Sequence, residues 1–162
     1  MRLLVALATT RNSDEIGPQA VELARRRGTG LTLLLVTERH ELERVHQLRS
    51  HPALQGTRAL EDVLREIELE HRRMMEEQAL RIEALALEAG LDVEKRLAMG
   101  DYEAEVAAET RRNAYAAVLW LRQNRGFIAR FFLGDDAVEV ACAEPDPGGV
   151  YSPGAFPGGE TG

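Results

Sequence analysis

Residues 100–135 read GDYEAEVAAETRRNAYAAVLWLRQNRGFIARFFLGD, and this stretch decides the fold. It contains a Gly-Asp turn, an amphipathic helix, an apolar strand at residues 116–121 and a loop rich in Gly, Asn and Arg. Open α/β sheets place ligands in loops at the carboxyl ends of buried parallel strands, because strand ends and helix N-termini meet there. We therefore expect any binding site to lie in this stretch.

The N-terminal part of the chain has the pattern of a βαβ unit. Residues 2–8 (RLLVALA) and 31–36 are short apolar runs, typical of strands that are covered on both faces. Between them, residues 12–14 (NSD) offer N-cap side chains and Gly28 ends a helical pattern. Such a crossover in one sheet is right-handed and its strands are parallel.

A long helix is predicted at residues 58–88, where apolar side chains recur at a period near 3.6. Met74 and Met75 are expected to fill a helix interface. A more polar strand at residues 91–99 follows, and Asp101 is placed to cap the next helix. The pattern is weaker at residues 37–56, where about two helical turns end before His51-Pro52.

The C-terminal part is harder to interpret. Residues 127–133 form a short apolar segment, and residues 136–143 (DAVEVACA) fit either a helix or an edge strand. Residues 144–162 are rich in Pro and Gly and are expected to be irregular. We predict an α/β domain at residues 1–143 followed by a tail at 144–162. The domain is expected to have a doubly wound, mostly parallel sheet of four to five strands with helices on both faces.

Composition restricts the class of function. At 162 residues one domain with a real core is expected, and the net charge of −7 disfavours a nucleic-acid partner. The apolar runs are too short to span a bilayer, so membrane insertion is not expected. Cys142 is the only cysteine, which indicates a reducing, cytoplasmic setting, and we expect it to be a buried, inert thiol. Trp120 is expected to lie in the core.

No catalytic motif is present: there is no G-x-S-x-G turn, no Walker lysine loop and no dinucleotide G-x-G-x-x-G. Two E-x-x-H pairs have the spacing that di-iron bundles use, but that site needs four helices, which a βαβ chain does not supply. We therefore predict no catalytic residues and no metal site. The side chains that such a metal site would use are His40, Glu43, His46, His51, Glu68 and His71.

The order of elements, the long second helix, RLLVALA at residues 2–8, MGD at 99–101 and FFLGD at 131–135 together resemble the universal stress protein family. The resemblance covers about residues 1–143. It implies a doubly wound parallel sheet of five strands, and many members of the family bind ATP. It also implies a homodimer that forms through a fifth strand, but the corresponding residues 146–151 (DPGGVY) make a poor strand. Either that edge is left open, or residues 136–143 take its place, or the dimer forms differently.

The nucleotide signature of the family is largely replaced. It consists of a glycine, two residues, a second glycine, nine residues and a glycine followed by Ser or Thr. Counting back from Gly134 places Leu121 and Asn124 at the first two glycines and Asp135 at the hydroxyl position. The acidic residue that closes the first strand in the family corresponds to Ala8. Leucine adds bulk and aspartate adds negative charge where phosphates bind glycine-rich backbone.

We therefore expect a non-catalytic regulatory or protein-interaction module of the universal stress protein type, without ordinary ATP binding and with no cofactor. A homodimer is expected, and an unidentified protein is the other partner considered. The alternative is an ATP- or AMP-binding stress-response switch or slow ATPase that uses an altered loop at residues 121–135. Its candidate binding residues are Gly100, Arg122, Asn124, Arg125, Gly126 and Gly134.

Overall fold

The computed structural model describes residues 1–38, 58–123, 138–152 and 154–156. In these residues the predicted α/β architecture is confirmed: one five-stranded sheet, mostly parallel, with helices on both faces. The elements are β1 (Arg2–Ala8), α1 (Ile16–Arg27), β2 (Leu31–Glu38), α2 (Arg58–Glu88), β3 (Val93–Gly100), α3 (Tyr102–Arg112), β4 (Tyr115–Gln123) and β5 (Val138–Ala143).

The strand order is β3-β2-β1-β4-β5, with β1 at the centre. β1 pairs in parallel with β2 and with β4, and β2 pairs in parallel with β3, whereas β5 runs antiparallel to β4. Two neighbouring residues of β3 show that the helices cover opposite faces: Lys95 pairs with Glu83 on α2, and Arg96 pairs with Glu109 on α3. Adjacent strand residues point to opposite faces, so α2 and α3 lie on different sides of the sheet.

The core follows the apolar runs. Every residue of Leu3 to Ala8 is buried, and so are Leu33 and Trp120 on the neighbouring strands, as expected. On α2, Met75 packs in the core, but the prediction was wrong for Met74, which is exposed because it lies about 100° away around the helix. The predicted bounds of α2 are confirmed.

The ends of the helices test the predicted capping residues. Asp101 caps α3 as predicted, its carboxylate accepting the Ala104 N–H at 3.0 Å. Gly28 ends α1 in the left-handed conformation (φ +64°), which glycine adopts without strain. The predicted N-cap of α1 at residues 12–14 was wrong, because Glu15 is the N-cap residue and makes no side-chain cap hydrogen bond.

The sequence pattern of residues 136–143 fitted either a helix or an edge strand. In the structure Val138–Ala143 form a strand, which lies at the edge of the sheet beside β4. Cys142 on this strand is exposed, so the prediction of a buried thiol was wrong. Burial against neighbouring groups and the Glu144 carboxylate nevertheless raise the pKa of its thiol. The described residues of the tail, 144–152 and 154–156, contain neither helix nor strand.

The tail is nonetheless packed against the domain. Phe156 is buried and meets Trp120 edge-on, with 5.7 Å between ring centroids. The Tyr151 hydroxyl donates to the Tyr115 carbonyl at 3.0 Å. The division of the chain at residue 143 stays a prediction, and the contacts of Phe156 show that the core extends into the tail.

Candidate functional site

The carboxyl ends of β1 and β4 form the crevice where the fold itself favours a ligand. β1 and β4 are parallel neighbours, but the chain leaves β1 towards β2 and reaches β4 from β3 on the far side. The strand order therefore reverses between β1 and β4, and open α/β sheets place ligands at such a switch point. We call the region at the carboxyl ends of β1 and β4, beside the start of α3, the crevice.

Arg11 lies in this crevice and is almost fully buried. Its Nη1 donates to the Leu121 carbonyl at 2.9 Å and to Glu103 Oε1 at 2.8 Å. Its Nε lies 3.6 Å from Glu38 Oε1, an ion-pair distance, and makes no hydrogen bond among the described residues. The guanidinium therefore joins the loop after β1 to the end of β2, the end of β4 and the first turn of α3.

The ring of Tyr102 packs against the guanidinium of Arg11. The Arg11 Cζ atom lies 4.4 Å from the centre of the Tyr102 ring, a cation–π distance. The Tyr102 hydroxyl donates to the Ala6 carbonyl at 2.6 Å and accepts the Leu121 N–H at 2.8 Å. Burial raises the pKa of this hydroxyl far above its usual range. Tyr102 thus links the backbones of β1 and β4 in its neutral form.

Glu38 is fixed by the same loop. The Thr10 hydroxyl donates to Glu38 Oε1 at 2.5 Å, and the Glu38 N–H donates to Thr9 Oγ1 at 3.2 Å. We call Arg11, Glu38, Tyr102 and Glu103 the Arg11 cluster. It contains one cation and two carboxylates, so its formal charge is −1 when all three groups are ionised.

Two of the predicted site residues lie in the described part of the chain. Gly100 ends β3 at the carboxyl edge of the sheet, with φ +149°, and a Cβ there would meet Glu105 Oε1 at 2.9 Å. Arg122 is half-exposed and donates to Glu139 on β5 at 2.8 Å. Neither contributes a hydrogen bond to the Arg11 cluster among the described residues. The other four candidates lie outside the described residues: Asn124, Arg125, Gly126 and Gly134.

Of the metal-ligand candidates, only Glu68 and His71 lie where the structure is described, on α2. In that part of the chain no three His, Cys, Asp or Glu side chains are grouped so that they would hold a metal ion. His40, Glu43, His46 and His51 lie outside it. No helix of the described residues is both long enough and apolar enough to cross a membrane.

Sequence reasoning missed the Arg11 cluster. One signal was present: an arginine three residues after the apolar run at residues 3–8 is close to the carboxyl edge of the sheet, where buried partners converge. The partners themselves come from three separate elements, so no spacing along the chain connects them.

The chain is similar to known proteins. The family model of the universal stress protein family matches residues 1–141. Among solved structures, universal stress protein UspA from Lactobacillus plantarum aligns with 19% identity over 69% of this chain and 71% of that chain, with a TM-score of 0.41. No curated protein sequence matches the chain. Because the family model covers most of the sequence, the chain belongs to the universal stress protein family.

Proposed function

We propose that the chain is a non-catalytic, homodimeric regulatory or protein-interaction module of the universal stress protein type that does not bind ATP in the ordinary way. The observation that carries this proposal is the Arg11 cluster, which places the chain's own charged groups in the crevice between β1 and β4. We further propose a cytoplasmic location and an unidentified protein as a second partner.

The backbone around Leu121 supports the loss of nucleotide binding. Leu121 stands at the first glycine of the family signature, where backbone groups would approach a ligand closely. Here its N–H donates to Tyr102 and its carbonyl accepts from Arg11, so both backbone groups are already used. The Leu121 side chain is fully buried and takes up volume that glycine would leave open.

The charged side chains of the Arg11 cluster also disfavour ATP binding. Glu38 and Glu103 both face Arg11, so one guanidinium is shared by two carboxylates. A polyphosphate that entered this crevice would add negative charge beside them, and like charges repel more strongly as water is excluded. The described walls of the crevice, with Ala8 at the acidic position of the family, are therefore a poor fit for ATP.

Equilibrium binding of labelled ATP and of labelled AMP, each with Mg²⁺, tests this proposal. We expect no saturable binding at micromolar nucleotide, and no nucleotide released on denaturing the purified protein, as read by mass spectrometry. Low micromolar affinity for either nucleotide would contradict the proposal. Sedimentation of the same sample measures the oligomeric state separately.

If nucleotide does bind, the alternative site at residues 121–135 can be tested in the same assay. Arg125→Ala and Gly126→Val are then expected to weaken binding strongly. Arg26→Ala is the matched control, since Arg26 is an exposed arginine on α1 that pairs only with Glu22 in the described contacts. Equal affinity of Arg125→Ala, Gly126→Val and Arg26→Ala would exclude this loop as the binding site.

A further inference from the structure

β3 is a long, regular edge strand of the described sheet, and we call its side away from β2 the free edge. β3 pairs with β2 in unbroken parallel register over eight residue pairs, from Val93 opposite Leu31 to Gly100 opposite Glu38. In the described sheet it has a strand neighbour on one side only. Such an edge presents a row of backbone donors and acceptors to which another strand can pair.

One hydrogen bond shows which backbone groups face outwards. The Leu31 N–H donates to the Asp92 carbonyl at 2.8 Å, so residue 92 faces β2. The N–H and C=O of one strand residue point to the same side, and successive residues alternate. The backbone groups of Val93, Lys95, Leu97 and Met99 therefore point away from β2, towards the free edge.

Exposed apolar side chains line the same edge. Leu97 is 82% exposed and Met99 is 61% exposed, on the face of β3 that turns to α2. On α2, Leu80 and Leu87 are 58% and 78% exposed. They lie three residues before and four residues after Glu83, which pairs with Lys95 at 2.9 Å, so they share the stripe of α2 that borders β3.

We propose that this edge binds the β3 edge of a second copy of the chain, antiparallel, with the two-fold axis at Lys95. In this register Glu94 lies opposite Arg96 of the second copy, and Val93 lies opposite Leu97. Each charge pair and each apolar pair occurs twice because a two-fold interface is self-complementary. The two sheets join into one of ten strands.

The charge pattern of β3 selects this register. An axis at Val93 places Glu94 opposite Asp92, and an axis at Leu97 leaves Glu94 opposite Gly100 and Arg96 opposite Ala98. An axis at Glu94 or Arg96 places that residue opposite its own copy. With the axis at Lys95 the two ammonium groups also face each other, but each is held by its own Glu83.

The other edge of the sheet lacks this complementarity. β5 has six residues and a single charged side chain, Glu139. On β3, Glu94 and Arg96 also have partners within the chain, Arg2 at 3.5 Å and Glu109 at 3.3 Å, but the two residues carry opposite charges. A strand with one sign of charge gains no cross-strand ion pair from self-association. The β3 edge is therefore the better-matched surface for a second copy.

This inference rests on the homodimeric state in the proposed function and names its surface. It does not depend on nucleotide binding, so the two experiments fail independently.

The first experiment measures mass in solution by light scattering over a concentration series. The unsubstituted chain is expected to be a dimer, and Leu97→Glu is expected to raise the dimer dissociation constant at least about tenfold, because it places a carboxylate among apolar partners. Val150→Glu is the matched control, an exposed apolar residue in the tail. A monomeric unsubstituted chain, or a dimer unchanged by Leu97→Glu, overturns the proposal.

The second experiment tests the register by disulfide formation in a Cys142→Ser background. Lys95→Cys is expected to cross-link, since hydrogen-bonded antiparallel partners lie about 5.5 Å apart between Cα atoms, within disulfide range. Met99→Cys is the control on the same edge; its two copies would lie eight residues apart along the pair, about 27 Å, and are expected to stay reduced. Cross-linking at Met99→Cys alone, or at neither position, overturns the proposed pairing.

Discussion

The guanidinium of Arg11 lies 4.4 Å above the ring of Tyr102, and the two side chains together connect the carboxyl ends of β1 and β4. Tyr102 bonds the backbone of both strands, and Arg11 bonds the carbonyl of Leu121. Both residues are almost fully buried. Side chains of the protein itself therefore bridge the crevice, and their hydrogen bonds are expected to contribute measurably to stability.

Tyr102→Phe is expected to destabilise the protein by about 1–3 kcal/mol. The ring volume is kept, but the Ala6 carbonyl loses its donor and the buried Leu121 N–H loses its acceptor. Urea unfolding followed by circular dichroism measures the change. Tyr151→Phe is the control, since it removes a single hydrogen bond at a half-buried position, and an equal loss in both variants would contradict the assigned role of Tyr102.

Stability is expected to fall as the pH rises above about 10, where tyrosines of the unfolded chain ionise. Burial raises the pKa of Tyr102 and of Tyr115, whose hydroxyl donates to Glu109 at 2.6 Å, and raises the pKa of Tyr151 to about 12. A raised folded pKa gives stability that is complete below the unfolded pKa and is lost above it. Urea midpoints at pH 8 to 11.5 test this, and Tyr102→Phe is expected to flatten the curve.

Phe156→Ala is expected to cost about 3–5 kcal/mol, because the ring is buried against Trp120 and its removal leaves a cavity. Trp120 is the only tryptophan, so its fluorescence reports this contact directly. Val150→Ala, at an exposed position in the same tail, is expected to change stability by less than about 0.5 kcal/mol. A neutral Phe156→Ala with unchanged fluorescence would mean that the tail does not pack in solution.

Proline substitutions test the direction of the β3 backbone. Leu97→Pro removes an N–H that points to the free edge, so the monomer is expected to stay folded. Ala98→Pro removes an N–H that faces β2. It is expected to cost about 1–3 kcal/mol more, because its acceptor on β2 is left without a donor. Thermal unfolding of the two variants, compared as monomers at low concentration, measures the difference, and the opposite order would show that the outward-facing residues are the even-numbered ones.

Much of the fold was accessible from the sequence because its elements are locally consistent. The apolar runs at β1 and β2 have the composition of strands buried on both faces, and Asp101 caps α3 with its own side chain. β5 could not be assigned because six residues of alternating apolar character fit two periods. These residues form a strand because they pair with the side of β4 that faces away from β1, and this pairing is a tertiary contact that the local sequence does not reveal.

The site was less accessible for a related reason. The apolar runs located the carboxyl ends of β1 and β4, and the family resemblance implied that Leu121 stands at a glycine position. It could not show that Glu38 and Glu103, which are 65 residues apart in the numbering, both meet Arg11. The errors at Met74 and Cys142 have the same origin, since each lies one position away from a residue that packs inwards.

The central position of β1 affects how the chain acquires its structure during synthesis. β1 is made before the other four strands of the described sheet, and its pairing with β2 can form once Leu31 to Val36 have emerged. Its pairing with β4 requires Tyr115 and the rest of β4. The other edge of β1, which is apolar from Leu3 to Ala8, therefore stays unpaired until β4 has been translated. Nascent chains with such an edge depend on chaperones or on slow elongation to avoid pairing with one another.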